Sequence, residues 1–69
     1  MKEQLARLPV GSGGVITRMK KAPRLEQMGL RPGAVVTCVY KSRGVQVLEL
    51  GRCLMALRRQ ALRGIRVDY

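Results

Sequence analysis

The stretch PRLEQMGLRPG, Pro23 to Gly33, decides how the rest of the chain is read. Pro23 suits the first position of a helix, where its missing N–H costs nothing. Gly29 suits the left-handed residue just past a helix end, and that placement makes Leu25 and Leu30 the pair that touches in a Schellman stop. Arg31-Pro32-Gly33-Ala34 fits a type II turn, with proline second and glycine third. Gly29, Pro32 and Gly33 are therefore expected to be structural turn residues. The helix between these signals has about two turns at most. A short helix so sharply delimited, inside a β-rich chain, points to a small barrel with one helical connection.

Downstream, Ala34 to Lys41 is the clearest strand, rich in β-branched and aromatic residues. Val36, Cys38 and Tyr40 share one face; Val35, Thr37 and Val39 share the other. Both faces are mostly apolar, so one is expected to meet a further surface besides the core. Ser42-Arg43-Gly44 is a hairpin turn leading into Val45–Leu50. Gly51-Arg52 is a second, leading into Cys53–Leu57, where Cys53, Met55 and Leu57 share a face. Gln46 and Glu49 differ in parity, which leaves the inward face of Val45–Leu50 open; a bulge is one resolution. Arg58 to Arg63 is too short for a stable helix and reads as a 3₁₀ turn carrying Ala61 and Leu62 inward. Ile65-Arg66-Val67 is the last strand, with Ile65 and Val67 inside.

Upstream, Val15–Met19 reads as the first strand, with Val15, Thr17 and Met19 on one face and Ile16 and Arg18 on the other. Lys20-Lys21-Ala22 is a basic link into the helix. Pro9 to Gly14 is a loop; a phosphate-loop reading fails because no Gly-Lys-Ser/Thr follows and no long helix opens there. Lys2 to Leu8 has too few apolar residues to decide between one helical turn and an extended lead-in. The plan is all-β: a small SH3-like barrel of about five short antiparallel strands, with one short helix between the first two strands. Closure of such a barrel removes most exposed edges.

With 69 residues, a single domain spanning 1–69 is expected, small enough to be marginal unless its core is efficient. The chain is 46% hydrophobic, enough for a core and against disorder. It has no Trp or Phe, so Val, Leu, Ile and Met must fill the interior. Fourteen Lys and Arg against four acids give a formal charge of +10, a field that favours anionic partners. The charges are scattered rather than blocked. The polar start, MKEQ, lacks a secretory signal. A cytoplasmic location with reduced thiols is expected, and both Cys38 and Cys53, in apolar runs, read as small hydrophobes. No apolar run approaches the ~20 residues that span a bilayer.

Catalytic chemistry is missing. There is no histidine, and the only carboxylates, Glu3, Glu26, Glu49 and Asp68, lie on separate elements. Cys38 and Cys53 are fifteen positions apart, and no group has metal-ligand spacing. A hydrolytic or redox site would need a base and an orienting group that the chain lacks. No catalytic residue, metal site or cofactor is expected, and the chain reads as a binding module rather than an enzyme.

Leu8-Pro9-Val10-Gly11, Gly14-Val15-Ile16, Arg24-Leu25 through Met28-Gly29-Leu30-Arg31-Pro32-Gly33, Leu57-Arg58 with Ala61, and Ile65-Arg66-Val67 together carry a resemblance. The chain resembles the ferrous iron transport protein A (FeoA) family over nearly its whole length, in order and with compatible spacing. The most specific part is the leucine-rich helix followed by G-L-x-P-G. The resemblance implies an SH3-like barrel, within a family tied to transition metal ions and iron homeostasis. It implies a small cytoplasmic accessory of ferrous iron uptake, peripheral at the inner face of the membrane. Its implied partner is the membrane GTPase ferrous iron transporter, ferrous iron transport protein B (FeoB), which it would regulate or assemble. The same fold occurs as the C-terminal domain of iron-dependent repressors, an alternative weakened by the absence of a helix-turn-helix segment. The competing reading is a nucleic-acid-binding small barrel, but only Tyr40 and Tyr69 could stack on bases. The charge is high for a module docking on one protein, and an anionic membrane surface is the further contact it suggests. Partner binding is expected on the helix and its exit, at Arg24, Leu25, Met28 and Leu30. There an apolar centre would carry a rim of Arg24, Arg31 and Lys21; the alternative is that the three apolar side chains are core.

Overall fold

A computed structural model describes residues 1–69. Six strands form one antiparallel sheet: β1 (Lys2–Gln4), β2 (Gly13–Met19), β3 (Val35–Ser42), β4 (Val45–Leu50), β5 (Cys53–Arg58) and β6 (Ile65–Asp68). Their order across the sheet is β1-β6-β2-β3-β4-β5. The overall dimensions, 25 × 25 × 23 Å, require the sheet to curl around its contents rather than lie flat. Helix α1 (Pro23–Gln27) joins β2 to β3, and 3₁₀ turns at Leu5–Arg7 and Arg59–Leu62 close the two ends of the curl.

The extra strand corrects the expected count and places the helix between the second and third strands. Lys2–Gln4 is three residues long and has no readable periodicity. Its partner, β6, lies at the other end of the chain. There the amino terminus pairs with Asp68 at 3.0 Å and the Tyr69 amide donates to the Met1 carbonyl at 2.9 Å. The ambiguous Lys2–Leu8 segment turns out to be both alternatives in succession: a strand, then a 3₁₀ turn that buries Leu5 and Ala6.

The core follows the alternation of the strands, broken at two places. In β2 the register shifts between Ile16 and Arg18, so Ile16 and Met19 both turn inward and Arg18 turns out. In β3 it shifts between Cys38 and Tyr40. Val36 and Cys38 are buried while Tyr40, on the same sequence parity, stands exposed. A bulge inserts one unpaired residue and flips the faces beyond it. Because the irregularity falls in β3, β4 keeps strict alternation, with Gln46 and Leu48 inside and Glu49 outside. Gln46 is fully buried, and its Nε2 donates to the Leu5 carbonyl at 2.9 Å, fastening the first 3₁₀ turn to β4. Its Oε1 has no partner, which costs roughly 1–3 kcal/mol of desolvation.

Two smaller expectations are corrected. Cys38 is buried, but Cys53 is exposed because it opens β5 directly beside the hairpin turn. Both thiols are free. The second 3₁₀ turn buries Leu62 but leaves Ala61 outside. Ile65 and Val67 are inside as expected.

Candidate functional site

The helix and its exit follow from backbone chemistry residue by residue. Pro23 occupies the first turn, and the Glu26 carboxylate reaches back to accept from the Ala22 amide at 3.4 Å. Gly29 has φ +100°. The Leu30 amide donates to the Leu25 carbonyl and the Gly29 amide to the Glu26 carbonyl, each at 3.0 Å. These are the two bonds of a Schellman stop. The Ala34 amide then donates to the Arg31 carbonyl at 3.0 Å across Pro32 and Gly33, with Gly33 at φ +95°, a type II turn. That turn also feeds the sheet, because the Gly33 amide donates to the Ile16 carbonyl at 2.7 Å.

This geometry divides the expected contact residues. Leu25 and Leu30 are buried, Leu30 completely, because the stop brings them together over the barrel. Leu30 is closed to a partner in this conformation, and Leu25 keeps only an edge on the surface. Met28 is 41% exposed and Arg24 is exposed. Arg31 is exposed and donates through Nη2 to the Glu26 carbonyl at 3.3 Å. Lys21 is exposed as well. What reaches solvent is one flexible apolar side chain among three cations, resting on two buried leucines.

A second apolar surface lies on the outside of the sheet. Val15 and Val35 face each other across β2 and β3, and Tyr40, Val47 and Ala56 form a row across β3, β4 and β5. Val35 is 61% exposed and Leu54 is 65% exposed. Only the Val35–Val39 part of this face was legible as a candidate surface; the contribution of Tyr40 depends on the bulge.

The cations have no carboxylate partners: the sole salt bridge is that of the amino terminus with Asp68. Arg18 and Arg66 lie directly opposite each other on β2 and β6, a like-charge juxtaposition that weakens a sheet. Sequence order had these residues scattered; strand pairing gathers them. No three His, Cys, Asp or Glu side chains converge where they could share a metal ion. No helix is long and apolar enough to cross a membrane.

The FeoA domain family model matches residues 3–69. No curated protein sequence matches the chain. Among solved structures, an iron uptake regulatory protein (FeoA) superposes with TM-score 0.90 at 20% identity, covering 99% of this chain and 97% of its own. An FeoA from Stenotrophomonas maltophilia, complexed with zinc and described as a prokaryotic SH3 domain protein, gives TM-score 0.84 at 22% identity, with 96% and 89% coverage. A manganese-dependent transcriptional repressor gives TM-score 0.86 at 16% identity, but the chain matches only 40% of that longer protein. The curled antiparallel sheet is thus the SH3-like fold of the FeoA proteins. With the family model spanning all but its first two residues, the chain belongs to the FeoA domain family.

Proposed function

We propose that this FeoA domain acts, without catalysis of its own, by docking on the membrane GTPase ferrous iron transporter, FeoB, and regulating or assembling it. Residues 1–69 serve as one self-contained binding module at the cytoplasmic face of the membrane. The observation that carries the reading is the family match over nearly the whole chain. The contact surface is the exit of α1. Met28 supplies an adaptable apolar anchor of the kind used at protein interfaces, and Arg24 lies beside it. Leu25 and Leu30 hold that surface from beneath through their place in the core.

The test is capture of detergent-solubilised FeoB by Met28→Asp. A side chain this exposed tolerates the substitution, so the melt stays close to the parent while capture falls at least tenfold, about 1.4 kcal/mol. Undiminished capture by a folded Met28→Asp, together with loss in Val39→Asp, would move the contact to the outer sheet face. Failure of the parent chain to bind FeoB at all would overturn the reading.

A further inference from the structure

We propose that the basic face centred on Arg63 docks this chain onto an anionic lipid bilayer. The surface grooves of the molecule form a connected series, and cations line every one of them. Arg63 borders four of the five, beside Arg59 and Arg7 on one side and Lys20, Arg18 and Arg66 on the other. No Asp or Glu borders any of them. The four acids are engaged or elsewhere. Asp68 holds the amino terminus, Glu3 and Glu26 accept from backbone amides, and Glu49 lies in β4 opposite Leu54.

Fold stability gives no reason for this arrangement. Arg18 stands opposite Arg66 with no carboxylate to neutralise either, and such a pair opposes sheet formation. A face that accumulates unneutralised charge at the expense of the sheet is complementary to a polyanion. The nature of the polyanion follows from what the grooves lack. No tyrosine lines them, so single-stranded nucleic acid would find no stacking platform. The only α-helix is five residues long, so a major groove would have to be entered by a two-stranded ribbon, which the duplex DNA arm of the test below probes. An acidic peptide would call for an apolar centre; three of the five grooves contain one hydrophobic residue and one contains none, and in the fifth, which has four, Leu25 and Ile65 are buried in the core. A layer of phosphate headgroups requires none of these features. It needs several long cationic side chains presented together, each worth about fivefold in partitioning at an anionic surface. Arginine adds a planar fork suited to phosphate oxygens. Arg24 and Met28 line none of the grooves, so a chain held on lipid in this way keeps the α1 exit free for a protein partner.

The experiment is co-sedimentation of the full chain with vesicles of mixed phosphatidylglycerol and phosphatidylcholine, and with pure phosphatidylcholine, at physiological salt. No GTPase is present, so the outcome is independent of the FeoB contact. The parent should partition onto the mixed vesicles only. The triple variant Arg18→Gln, Arg63→Gln, Arg66→Gln should lose on the order of a hundredfold, from about fivefold per arginine. Its melt should be unchanged or raised, since a like-charge pair has been removed. The matched variant Arg31→Gln, Lys41→Gln, Arg52→Gln removes the same charge from residues that border none of these grooves. Because they border none of the grooves, those charges should matter less than the three arginines. Equal losses in the two triples would mean that net charge, not this face, drives binding, and would overturn the proposal. So would absence of binding to the mixed vesicles, or tighter binding of duplex DNA or single-stranded RNA at equal phosphate concentration.

Discussion

Gly29 is a position where one substitution strains the fold, and the structure allows the cost to be separated into parts. Its φ of +100° lies where an L-residue with a Cβ is strained by about 1–2 kcal/mol, more for a β-branched side chain. A Cβ built on it would sit 2.8 Å from Leu50 Cδ2. Leu50 is half-buried, so its methyl end can give way by leaving its rotamer, at about 0.5–1.5 kcal/mol. The Schellman bonds and the Leu25–Leu30 contact are strained with it. Gly29→Val should therefore destabilise by roughly 2–3 kcal/mol, and the melting temperature of a domain this small should fall by roughly 10–20 °C. Gly33 supplies the control, because its φ is +95° and a Cβ there meets nothing within 4 Å. Gly33→Ala isolates the backbone cost; Gly29→Ala adds the Leu50 contact, and the double variant with Leu50→Ala removes it again. Thermal and urea unfolding followed by circular dichroism measure all four. A Gly29→Val melt equal to the parent, or equal costs for Gly29→Ala and Gly33→Ala, would refute the reasoning.

Two further outcomes are expected. Anaerobic calorimetry with ferrous iron should show no binding tighter than about millimolar, because the four carboxylates are dispersed and no histidine exists; a stoichiometric micromolar heat that survives Cys38→Ser with Cys53→Ser would contradict this. Gln46→Glu should cost about 2–3 kcal/mol at neutral pH, since it places a charge in a fully buried site and against the Leu5 carbonyl. Burial raises the carboxyl pKa in the folded state, so the folded protein binds the proton more tightly, and stability should return as pH falls. A pH-independent melt would show that the side chain escapes to solvent.

The turns were legible because they rest on residues with singular backbones: proline at a helix start, and glycine at positive φ at Gly29 and Gly33. The alternation of Ile65 and Val67, and of Val36 and Cys38, was equally direct, because each pair needs only a period of two. Elements specified by distant partners stayed hidden. Strand β1 exists through pairing with β6 across the length of the chain. Gln46 is inside because its amide meets a carbonyl 41 positions upstream, a contact no local pattern reports. For the expected contact site, the same reading that located the helix stop also brought Leu25 and Leu30 together, and their burial follows from that contact. Only the exposure of Met28 was left for the structure to supply.

The two bulges connect the fold to what it presents. Without the shift in β2, Arg18 would keep the parity of Ile16 and turn into the core, where an unpaired guanidinium costs several kcal/mol. With it, Arg18 turns outward beside Arg66 and the basic face becomes continuous. Without the shift in β3, Tyr40 would follow Cys38 inward. With it, Tyr40 joins Val47 and Ala56 outside, and an apolar row forms on the outer surface of the sheet. Each bulge thus keeps the interior aliphatic while adding one large side chain to an outer surface, one charged and one apolar. The interior contains no aromatic side chain and is filled mainly by leucine, isoleucine and valine, with Ala6, Cys38 and Gln46 among them. An SH3-like barrel of 69 residues can in this way hold a small aliphatic core and still offer chemically distinct surfaces, with the α1 exit as a third.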